Sequence, residues 1–338
     1  MTQTASPTPS TKAAPALGLV VAALGVVYVV WGSTYLGIKI VVEEAPPLTA
    51  MGLRFMSAGA LLGVVLSFRS GPRRLQVRPR ELAGAALLGL MLPMLGNGLV
   101  SVGESKGAPS GATALLIAVA PLLIVVFRAL AGDRPSALST FGILLGFAGL
   151  AYLVLAGRDG PRELPLVPAL IILFAASCWA LGSFVQPRLL LPDDVFVTAV
   201  YEMVCGGLIM VTVGLLAGER LSPADYGSRT WLAWGYLVVF GSMLAFTAYV
   251  WLLANARISF VATYAYINPV VAVFLGWLIL GEAVTRPIVV GGGVVVLAVA
   301  IVITAERPRR KPLAESPAPE TVEAVVSPHG EGERGDAD

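Results

Sequence analysis

Long apolar runs alternate with short polar or Pro- and Gly-rich connections along most of this chain. Each run has about 20 residues, the length that a helix needs to cross a hydrocarbon core about 30 Å thick. Ten runs meet this description, and they cover residues 17–40, 46–68, 81–103, 109–131, 137–157, 165–186, 195–217, 231–254, 260–281 and 287–304. Because a helix pairs its backbone N–H and C=O groups internally, the pattern predicts an all-α integral membrane protein with ten transmembrane helices. We call these helices spans one to ten.

Composition supports this prediction. Of the 338 residues, 57% are hydrophobic and 13% are charged, whereas ordinary soluble domains have about 25% charged residues. Residues 1–16 are rich in Thr, Ser, Pro and Ala, and residues 305–338 are rich in Pro, Glu and Gly, so both ends are predicted to be flexible tails. The first run is too long for the h-region of a signal peptide, and we expect it to remain as span one.

The distribution of Lys and Arg predicts the orientation of the spans. Fourteen of these residues lie in the N-terminal tail, in the loops that follow even-numbered spans and in the C-terminal tail, against six in the other loops. Since positive charge is retained on the cytoplasmic side, both termini are predicted to lie in the cytoplasm, with the chain in the plasma membrane. The basic clusters at 69–80 and 307–311 are then topology signals, and no nucleic-acid partner is predicted.

The two halves of the sequence resemble each other at a shift of 148 residues. Three identical pairs superpose at this shift, and they are Trp31 with Trp179, Gly59 with Gly207, and Pro121 with Pro269. Each half, at 17–157 and 165–304, has five spans, and an odd number gives the second half the opposite orientation in the membrane. The sequence therefore predicts two inverted five-helix repeats, an architecture common among secondary transporters.

The same shift places Arg54 of span two on Glu202 of span seven. A charge inside a membrane is costly unless it faces protein or water and is paired. Arg54 could snorkel toward the outer surface or hold spans one and two together through carbonyl groups. Glu202 could be a structural hydrogen-bonding group, a proton site or the partner of a cationic substrate. Because the two lie on opposite sides of the midplane, we expect them to act separately.

Two prolines lie within spans four and nine at equivalent positions. Pro121 and Pro269 each remove an N–H donor and free the carbonyl four residues earlier, at Ile117 and Ala265. Broken helices at matching places in two halves are typical of a midplane binding site. We therefore predict hinges at both prolines, while tolerance of Pro in membrane helices is the structural alternative.

Polar and aromatic side chains share helix faces in several spans, because residues four or seven apart project on the same side. The predicted substrate-binding residues are Trp31, Tyr35, Asn97, Ser101, Trp179, Trp251, Asn255, Tyr264 and Asn268. Each of them alone could instead make an interhelical hydrogen bond or belong to an interfacial aromatic belt. Together they predict an amphipathic cavity between the two halves that accepts a small-molecule substrate.

The spans lack the residues that metal, cofactor and catalytic sites usually contain. Cys178 and Cys205, the two cysteines, fall within spans and are predicted to be buried thiols, and the single histidine, His329, lies in the tail. No Cys/His set or clustered carboxylates occur in the spans, so no metal, cofactor or catalytic site is predicted, and a multispan enzyme is the weaker alternative. No Walker-type loop occurs, and no repeated charged ring favours a channel.

Several stretches resemble the EamA family of the drug/metabolite transporter superfamily, in particular its bacterial YedA-type members. They include "VVWGSTYLGIK", "PPLTAMGLRFMSAG", "GNGLVSVGE" and "TYAYINPVVAVFLGWLILGE". The resemblance covers about residues 17–304 and implies ten spans, cytoplasmic termini, and export or exchange of small metabolites, amino acids or drugs. The first half has Gly132-Asp133 near the place where the second has Gly281-Glu282, a departure from a shared acidic motif.

We therefore expect a secondary transporter that works by alternating access. Proton antiport through Glu202 and uncoupled facilitated diffusion both remain open, since acidic residues in or near the spans are few (Glu104, Glu202 and Glu282). The bilayer surrounds the protein, and a monomer and a homodimer are both compatible with the sequence.

Overall fold

A computed structural model describes residues 17–156, 164–256, 261 and 263–306. Nine of its helical stretches are long and apolar enough to cross a membrane, and the shorter apolar helix Tyr264–Leu280 lies at the position of span nine. The described part thus contains a helix at each predicted span. The tails at 1–16 and 307–338, including His329, and residues 157–163 lie outside the described residues.

Six spans are each one α-helix in the described part. They are span two, Pro47–Ser70; span five, Ala137–Ala156; span six, Leu166–Val185; span seven, Val195–Leu216; span nine, Tyr264–Leu280; and span ten, Arg286–Ala305. Two of them, spans two and ten, have Pro at the first or second helical position, where its missing N–H costs nothing. Short 3₁₀ turns at Pro72–Leu75, Gln186–Arg188 and Pro223–Asp225 connect some of the spans.

The other four spans are interrupted. Span four consists of two α-helices, Ser110–Ile117 and Ala120–Leu130. The other three each have a π-helix between two α-helices: Leu17–Val26, Val27–Trp31 (π) and Gly32–Val42 in span one; Pro79–Gly89, Leu90–Gly98 (π) and Leu99–Ser105 in span three; and Ser228–Tyr236, Leu237–Leu244 (π) and Ala245–Asn255 in span eight. π-Helical turns are rare, and they are frequent at functional sites.

Proline explains part of this irregularity. Pro93 lies inside the π-helix of span three, and the residue 148 positions later, Gly241, lies inside the π-helix of span eight. The break in span four immediately precedes Pro121, as the sequence predicts for a hinge. Pro269, in contrast, lies within the continuous helix Tyr264–Leu280. In the described part, therefore, only span four of this predicted pair shows a break beside its proline, and the helix of span nine continues through Pro269 despite the lost hydrogen bond to Ala265.

Spans two and seven pack through glycines in a reciprocal way. A Cβ on Gly52 would lie 2.7 Å from the carbonyl oxygen of Gly207, and a Cβ on Gly59 would lie 3.0 Å from that of Val200. The shift of 148 residues exchanges these two contacts. Because numbers rise along one helix as they fall along the other, the two spans run antiparallel, and small residues let their backbones approach closely.

Spans five and ten repeat this arrangement. A Cβ on Gly149 would lie 3.1 Å from the carbonyl oxygen of Gly291, and one on Gly142 would lie 3.3 Å from that of Ala298. A shift of 149 residues exchanges these contacts. A two-fold axis between two halves produces reciprocal contacts of this kind. They support the predicted inverted repeat at both interfaces.

The buried apolar core also mixes the halves. One cluster draws its side chains from spans one, two, three, six, seven and eight, and includes Met51, Met210 and Leu237. A second cluster draws on spans four, five, six and ten, and includes Leu122 and Ile172. Neither half has a core of its own in the described part, so motion of one half against the other must slide along these two clusters.

Candidate functional site

Three aromatic rings from both halves meet in the described part of the bundle. The ring of Trp31 in span one lies 5.1 Å from that of Tyr249 in span eight and 5.3 Å from that of Tyr264 in span nine. The two tyrosine rings are 5.7 Å apart and nearly perpendicular. Edge-to-face geometry at this distance is favourable for aromatic pairs. We call Trp31, Tyr249 and Tyr264 the aromatic cluster.

Hydrogen bonds tie this cluster to the π-helix of span eight. The Trp31 indole Nε1 donates to the Gly241 carbonyl at 3.2 Å. Nearby, the hydroxyls of Ser33 and Tyr236 lie 2.6 Å apart, and those of Tyr28 and Thr263 are hydrogen-bonded. The Trp31 bond thus joins the first half to the π-helical segment of span eight, and such segments are frequent at functional sites.

Asn268 lies beside the same cluster and is buried. In the amide orientation that satisfies its surroundings, the Asn268 side-chain nitrogen donates to the carbonyls of Tyr264 at 3.2 Å and Tyr28 at 3.3 Å. Its backbone carbonyl faces Gly32, where a Cβ would lie 3.2 Å away. The predicted residues Trp31, Tyr264 and Asn268 are thus brought together between spans one and nine.

Three further predicted residues lie in the core around this point. Tyr35 is half-buried against the first apolar cluster. Trp179 packs against Gly96, where a Cβ would lie 2.8 Å from its ring atom Cε3, and Asn97 is the next residue in the π-helix of span three. The side chain of Asn97 makes no hydrogen bond to another described residue and is half-buried.

The remaining predicted residues have local partners. Ser101 is fully buried, and its hydroxyl lies 2.7 Å from the Gly98 carbonyl and 3.2 Å from the Pro47 carbonyl. Asn255 is exposed, and its amide donates to the carbonyl of Trp251 at 2.8 Å. Trp251 packs half-buried beside the aromatic cluster. Ser101 and Asn255 are therefore engaged with backbone groups in this conformation.

Tyr249, Gly241 and Ser242 are contacts that the sequence interpretation missed. It favoured the face of span eight that carries Trp251 and Asn255. Ser242 and Tyr249 are seven residues apart, a spacing that also places two side chains on one face and could have drawn attention to them. The π-helix Leu237–Leu244 changes which side chains of span eight lie on one face, and it was not predictable from hydropathy.

Arg54 faces span eight rather than the outer surface. The residue is only 4% exposed, and its Nε donates to the Ser242 hydroxyl at 3.2 Å. Its guanidinium carbon lies 4.7 Å from the centre of the Phe55 ring, and Nη1 is 3.9 Å from the Met51 sulfur. The snorkelling and span-one alternatives are wrong for this conformation, because the guanidinium points inward to the π-helix that also contacts Trp31.

Glu202 makes no ion pair or hydrogen bond to a described residue. It is half-buried in span seven, where its backbone carbonyl approaches Gly89 of span three so closely that a Cβ on that glycine would lie 2.7 Å away. Among the ion pairs of the described residues, none joins Glu202 to Arg54. The two residues therefore have separate surroundings, as expected from their depths.

At one end of the bundle, carboxylates of the second half cap helices of the first. We call this end, which carries residues 43–46, 106–109 and 281–285, the outer end, following the predicted orientation. Glu219 accepts from the backbone N–H of Leu48 at 3.2 Å and of Thr49 at 2.7 Å, and from the Thr49 hydroxyl at 2.6 Å. Gly214 leaves room, since a Cβ there would lie 2.6 Å from Glu219 Oε2.

A second cap of the same design lies nearby. Glu282 accepts from the N–H groups of Ser110 at 2.6 Å and Gly111 at 3.1 Å, and from the Ser110 hydroxyl at 3.0 Å. Both glutamates follow a glycine with positive φ, Gly218 and Gly281. Because helix N-termini attract anions, each carboxylate satisfies otherwise unpaired N–H groups of span two or span four. We call these contacts the Glu219 cap and the Glu282 cap.

Glu44 makes a third, exposed contact at this end. It accepts from the Gly227 N–H at 2.7 Å and the Thr230 hydroxyl at 2.6 Å, at the start of span eight. The Thr230 hydroxyl, and then the Gly227 N–H, hold the pKa of the Glu44 carboxyl below its ordinary value. The sequence interpretation missed all three contacts, although the repeated Gly-Glu at the ends of spans seven and nine was a visible signal.

The acid in the first half that resembles Glu282 has a different role. Asp133 follows Gly132, which has a positive φ, but its carboxylate pairs with Arg128 of its own span. Arg128 also pairs with Glu306 at 2.8 Å, and Glu306 accepts from the Ser139 hydroxyl at 2.5 Å. The departure seen in the sequence therefore corresponds to a local ion pair instead of a cap on another span.

A cleft of about 530 Å³ lies between spans one, eight and nine. Apolar side chains line most of it, and Arg229 and Ser228 lie at its outer end. None of the predicted substrate-binding residues lines this cleft. In the described part of the chain, Cys178 and Cys205 are free thiols, and no group of three or more His, Cys, Asp or Glu side chains is arranged to hold a metal ion.

Comparisons with known proteins agree with this architecture. The model of the EamA-like transporter family matches residues 16–155 and 166–304. The uncharacterized inner membrane transporter YedA of Escherichia coli K12 is 39% identical over 280 residues, which cover 83% of this chain and 89% of that protein. The uncharacterized transporter YoaV of Bacillus subtilis is 22% identical over 275 residues, covering 79% and 91%. A crystal structure with 22% identity covers 86% of this chain and 100% of its own, with a TM-score of 0.58, and shares the fold.

Proposed function

We propose that this chain, which belongs to the EamA-like transporter family, is a secondary transporter of the cytoplasmic membrane with both termini in the cytoplasm. It exports or exchanges small metabolites, amino acids or drugs by alternating access. The family and its named relatives establish a membrane transporter. The direction, the substrate class and the mechanism are the proposal.

The aromatic cluster is the observation that carries this proposal. Trp31 comes from the first half, Tyr249 and Tyr264 come from the second, and their rings touch. When the halves separate, these rings part and offer flat apolar surfaces with polar edges. Small-molecule sites have this character, with mainly aromatic and apolar linings and a few polar groups that orient the ligand.

Arg54 supplies the charge of this site. It is buried next to the π-helix that binds Trp31, and its partners among the described residues, Ser242 and Met51, are neutral. A buried guanidinium is stabilised most by an anionic partner that accepts from several of its N–H groups. The substrate therefore carries a carboxylate or a similar anionic group beside an apolar or aromatic portion.

The two halves can rotate against each other at the two reciprocal interfaces. Spans two and seven, and spans five and ten, pack antiparallel through glycines. Rocking of the two halves about these interfaces changes which side of the membrane reaches the aromatic cluster. Pro121, Pro93 and the three π-helical segments provide places where spans one, three, four and eight can bend during this motion. Pro269 can do the same in span nine.

Energy coupling has two alternatives. Glu202 is a carboxylate inside span seven without a partner among the described residues, and in antiport it would carry a proton across the membrane. In uncoupled facilitated diffusion it would have no such role. Transport by Glu202→Gln with and without an imposed proton gradient separates the two.

The test is transport by the full chain in proteoliposomes. Labelled amino acids, other organic anions and cationic drugs are screened for movement, and the compound is recovered to show that it is chemically unchanged, as a transporter requires and an enzyme does not. Trp31→Ala should abolish transport of every compound that the wild type moves. Trp277→Ala is the matched control, because Trp277 is 53% exposed on the surface of span nine.

Arg54→Gln tests the anionic group separately. It should raise KM for anionic substrates much more than for neutral analogues, and Arg54→Lys should restore this only in part, because an ammonium lacks the planar fork. Normal transport by Trp31→Ala would exclude the aromatic cluster as the substrate site.

A further inference from the structure

Glu104, near the outer end of span three, is a buried acid that the proposed transport site does not use. Its side chain has no exposed surface, and neither carboxylate oxygen has a hydrogen-bond partner among the described residues. An ionised carboxylate in such surroundings loses its hydration and gains nothing in return. Its charge must therefore be balanced by a direct partner or removed.

Lys39 of span one is close by, but it does not supply that partner. Its ammonium donates to the backbone carbonyl of Glu104 at 2.8 Å, and no ion pair joins it to the Glu104 carboxylate in the described part of the chain. The positive charge lowers the cost of a negative one nearby without satisfying either carboxylate oxygen. Glu104 thus retains two free acceptor atoms.

The other groups that face Glu104 make an ionised form less favourable. Glu282, whose carboxylate is already bound to the start of span four, brings a second negative charge close to it. Tyr35 of span one also lies close to it. Span six, which packs against the same stretch, contains no charged residue. Among these groups Lys39 is the cation that favours an ionised Glu104, and Glu282 is the anion that opposes it.

Thr113 of span four does not satisfy the Glu104 carboxyl group in this conformation. Its hydroxyl donates to the Pro109 carbonyl at 2.9 Å, and neither Glu104 oxygen has a hydrogen-bond partner among the described residues. An ionised carboxylate is therefore left without a donor, which favours the neutral acid.

The space around the Glu104 carboxyl group limits what can bind to it. Because the residue has no accessible surface, a metal ion or a substrate ammonium group has no room beside it in this conformation. A proton needs no additional volume. It also removes the unfavourable charge.

We propose that Glu104 is a proton-binding site that links closure of the outer end to the pH outside the membrane. In this closed conformation Glu104 carries a proton. When the halves part at the outer end and water enters, Glu104 releases the proton to the outside and becomes charged beside Lys39. Closure requires the proton to return, so acid outside favours the closed outer end and alkali favours the open one.

This role differs from that of a coupling carboxylate. The proton enters and leaves on the same side, so no net proton crosses the membrane through Glu104. The effect of outside pH on transport rests on the proposed alternating access, whereas protonation of Glu104 does not depend on any substrate. The two can therefore fail independently.

Infrared difference spectroscopy on the purified full chain tests the protonation, with the proton as the probe. In wild-type protein at neutral pH we expect the carbonyl-stretch band of a buried protonated carboxylic acid, absent from Glu104→Gln and retained in the matched control Glu202→Gln. In Lys39→Met the band should persist to higher pH than in wild type. Absence of the band from wild type, or its full retention in Glu104→Gln, would overturn the proposal.

Transport tests the consequence. With the pH raised equally on both sides, so that no proton gradient acts through Glu202, the wild-type transport rate should change. Glu104→Gln should lose that dependence, while Asp133→Asn, an exposed acid at the inner end, keeps it. The wild-type spectrum decides the protonation even if Glu104→Gln fails to fold. If an infrared band is assigned to Glu104 but no compound is transported, the proposed function is rejected and the proton-binding site is retained.

Discussion

The outer and inner ends of the bundle join the two halves by different chemistry. At the outer end Glu219 and Glu282 of the second half each accept three hydrogen bonds from the start of a first-half span. At the inner end the corresponding acid, Asp133, pairs with Arg128 of its own span and is exposed. Contacts across the inner end include the ion pairs of Arg74 with Asp194 and of Arg128 with Glu306. The hydroxyls of Ser139 and Tyr201 also donate across it, to Glu306 and to the Leu75 carbonyl.

The difference lies in the partners of the carboxylates, since Glu219, Glu282 and Glu306 are all partly buried. A carboxylate on the N–H groups of a helix start is fixed in place by several donors and by the helix dipole. An exposed ion pair forms and breaks at little cost. The comparison indicates that the carboxylate caps fasten the two halves at the outer end more firmly than the ion pairs do at the inner end.

The largest effect is expected from Gly276→Ala. The added Cβ would lie 2.3 Å from Glu282 Oε2 and 2.8 Å from the Ser110 hydroxyl, so the Glu282 cap cannot form as it is. We expect a loss of about 1–3 kcal/mol in the free energy of unfolding, measured by thermal unfolding in detergent, and a loss of transport. Gly293→Ala is the control, because no atom lies within 4 Å of its added Cβ. Equal stability of the two variants would show that the cap contributes nothing.

A smaller effect is expected from Thr49→Val, which deletes one hydroxyl of the Glu219 cap at nearly constant volume. The hydrogen bond to Glu219 Oε2, 2.6 Å long, is lost, while the two backbone N–H donors remain. Because the two N–H donors still hold the carboxylate, the loss should be about 1 kcal/mol, the net contribution of one ordinary hydrogen bond, as measured by unfolding in denaturant. Thr212→Val serves as the control, since that exposed hydroxyl bonds the Leu208 carbonyl of its own span. A larger loss in Thr212→Val would contradict the assignment.

At the inner end Asp133→Asn should change little. The side chains of Arg128 and Asp133 are 40% and 56% exposed, and Arg128 keeps Glu306 as a partner. Exposed ion pairs contribute about 0–1 kcal/mol, so thermal unfolding of this variant should nearly match wild type. A loss as large as that of Gly276→Ala would remove the contrast between the two ends.

The smallest effect concerns pH and Glu44. Its pKa in the folded protein lies below the ordinary value of 4.5, so its bonds to Thr230 and Gly227 stabilise the fold fully above that value. This contribution is lost as the pH falls through the lower folded pKa, because the protonated acid accepts less well. The unfolding temperature of Glu44→Gln should therefore approach that of wild type in acid and fall slightly below it at neutral pH. A constant difference across this range would exclude the linkage.

Much of the fold was predictable because it rests on hydropathy and on the 148-residue shift. Each predicted span contains a described helix, and the reciprocal glycine contacts follow shifts of 148 and 149 residues. The π-helical segments were not predictable in this way. They depend on packing between spans, and at Pro93 and Gly241 the sequence signal is a single residue.

The candidate site was predictable only in part. Trp31, Tyr264 and Asn268 were named for their polarity within apolar spans, and the structure brings them together. The direction in which Arg54 points could not be predicted, since it depends on a hydroxyl 188 residues away. The Glu219 and Glu282 caps are also long-range contacts, and one sequence does not show which helix start a terminal carboxylate reaches.

The most direct test of the account measures distances at both ends in one protein. Spin labels are placed at Lys106 and Val284 for the outer end, and at Arg134 and Asp193 for the inner end, all exposed positions, after Cys178 and Cys205 have been replaced. Double electron–electron resonance in liposomes should give one short outer distance in the otherwise wild-type chain. In Glu282→Ala the outer pair should gain a longer component, while the inner pair does not lengthen. An outer distance that is unchanged by Glu282→Ala, with a longer inner distance, would contradict closure of the outer end by the carboxylate caps.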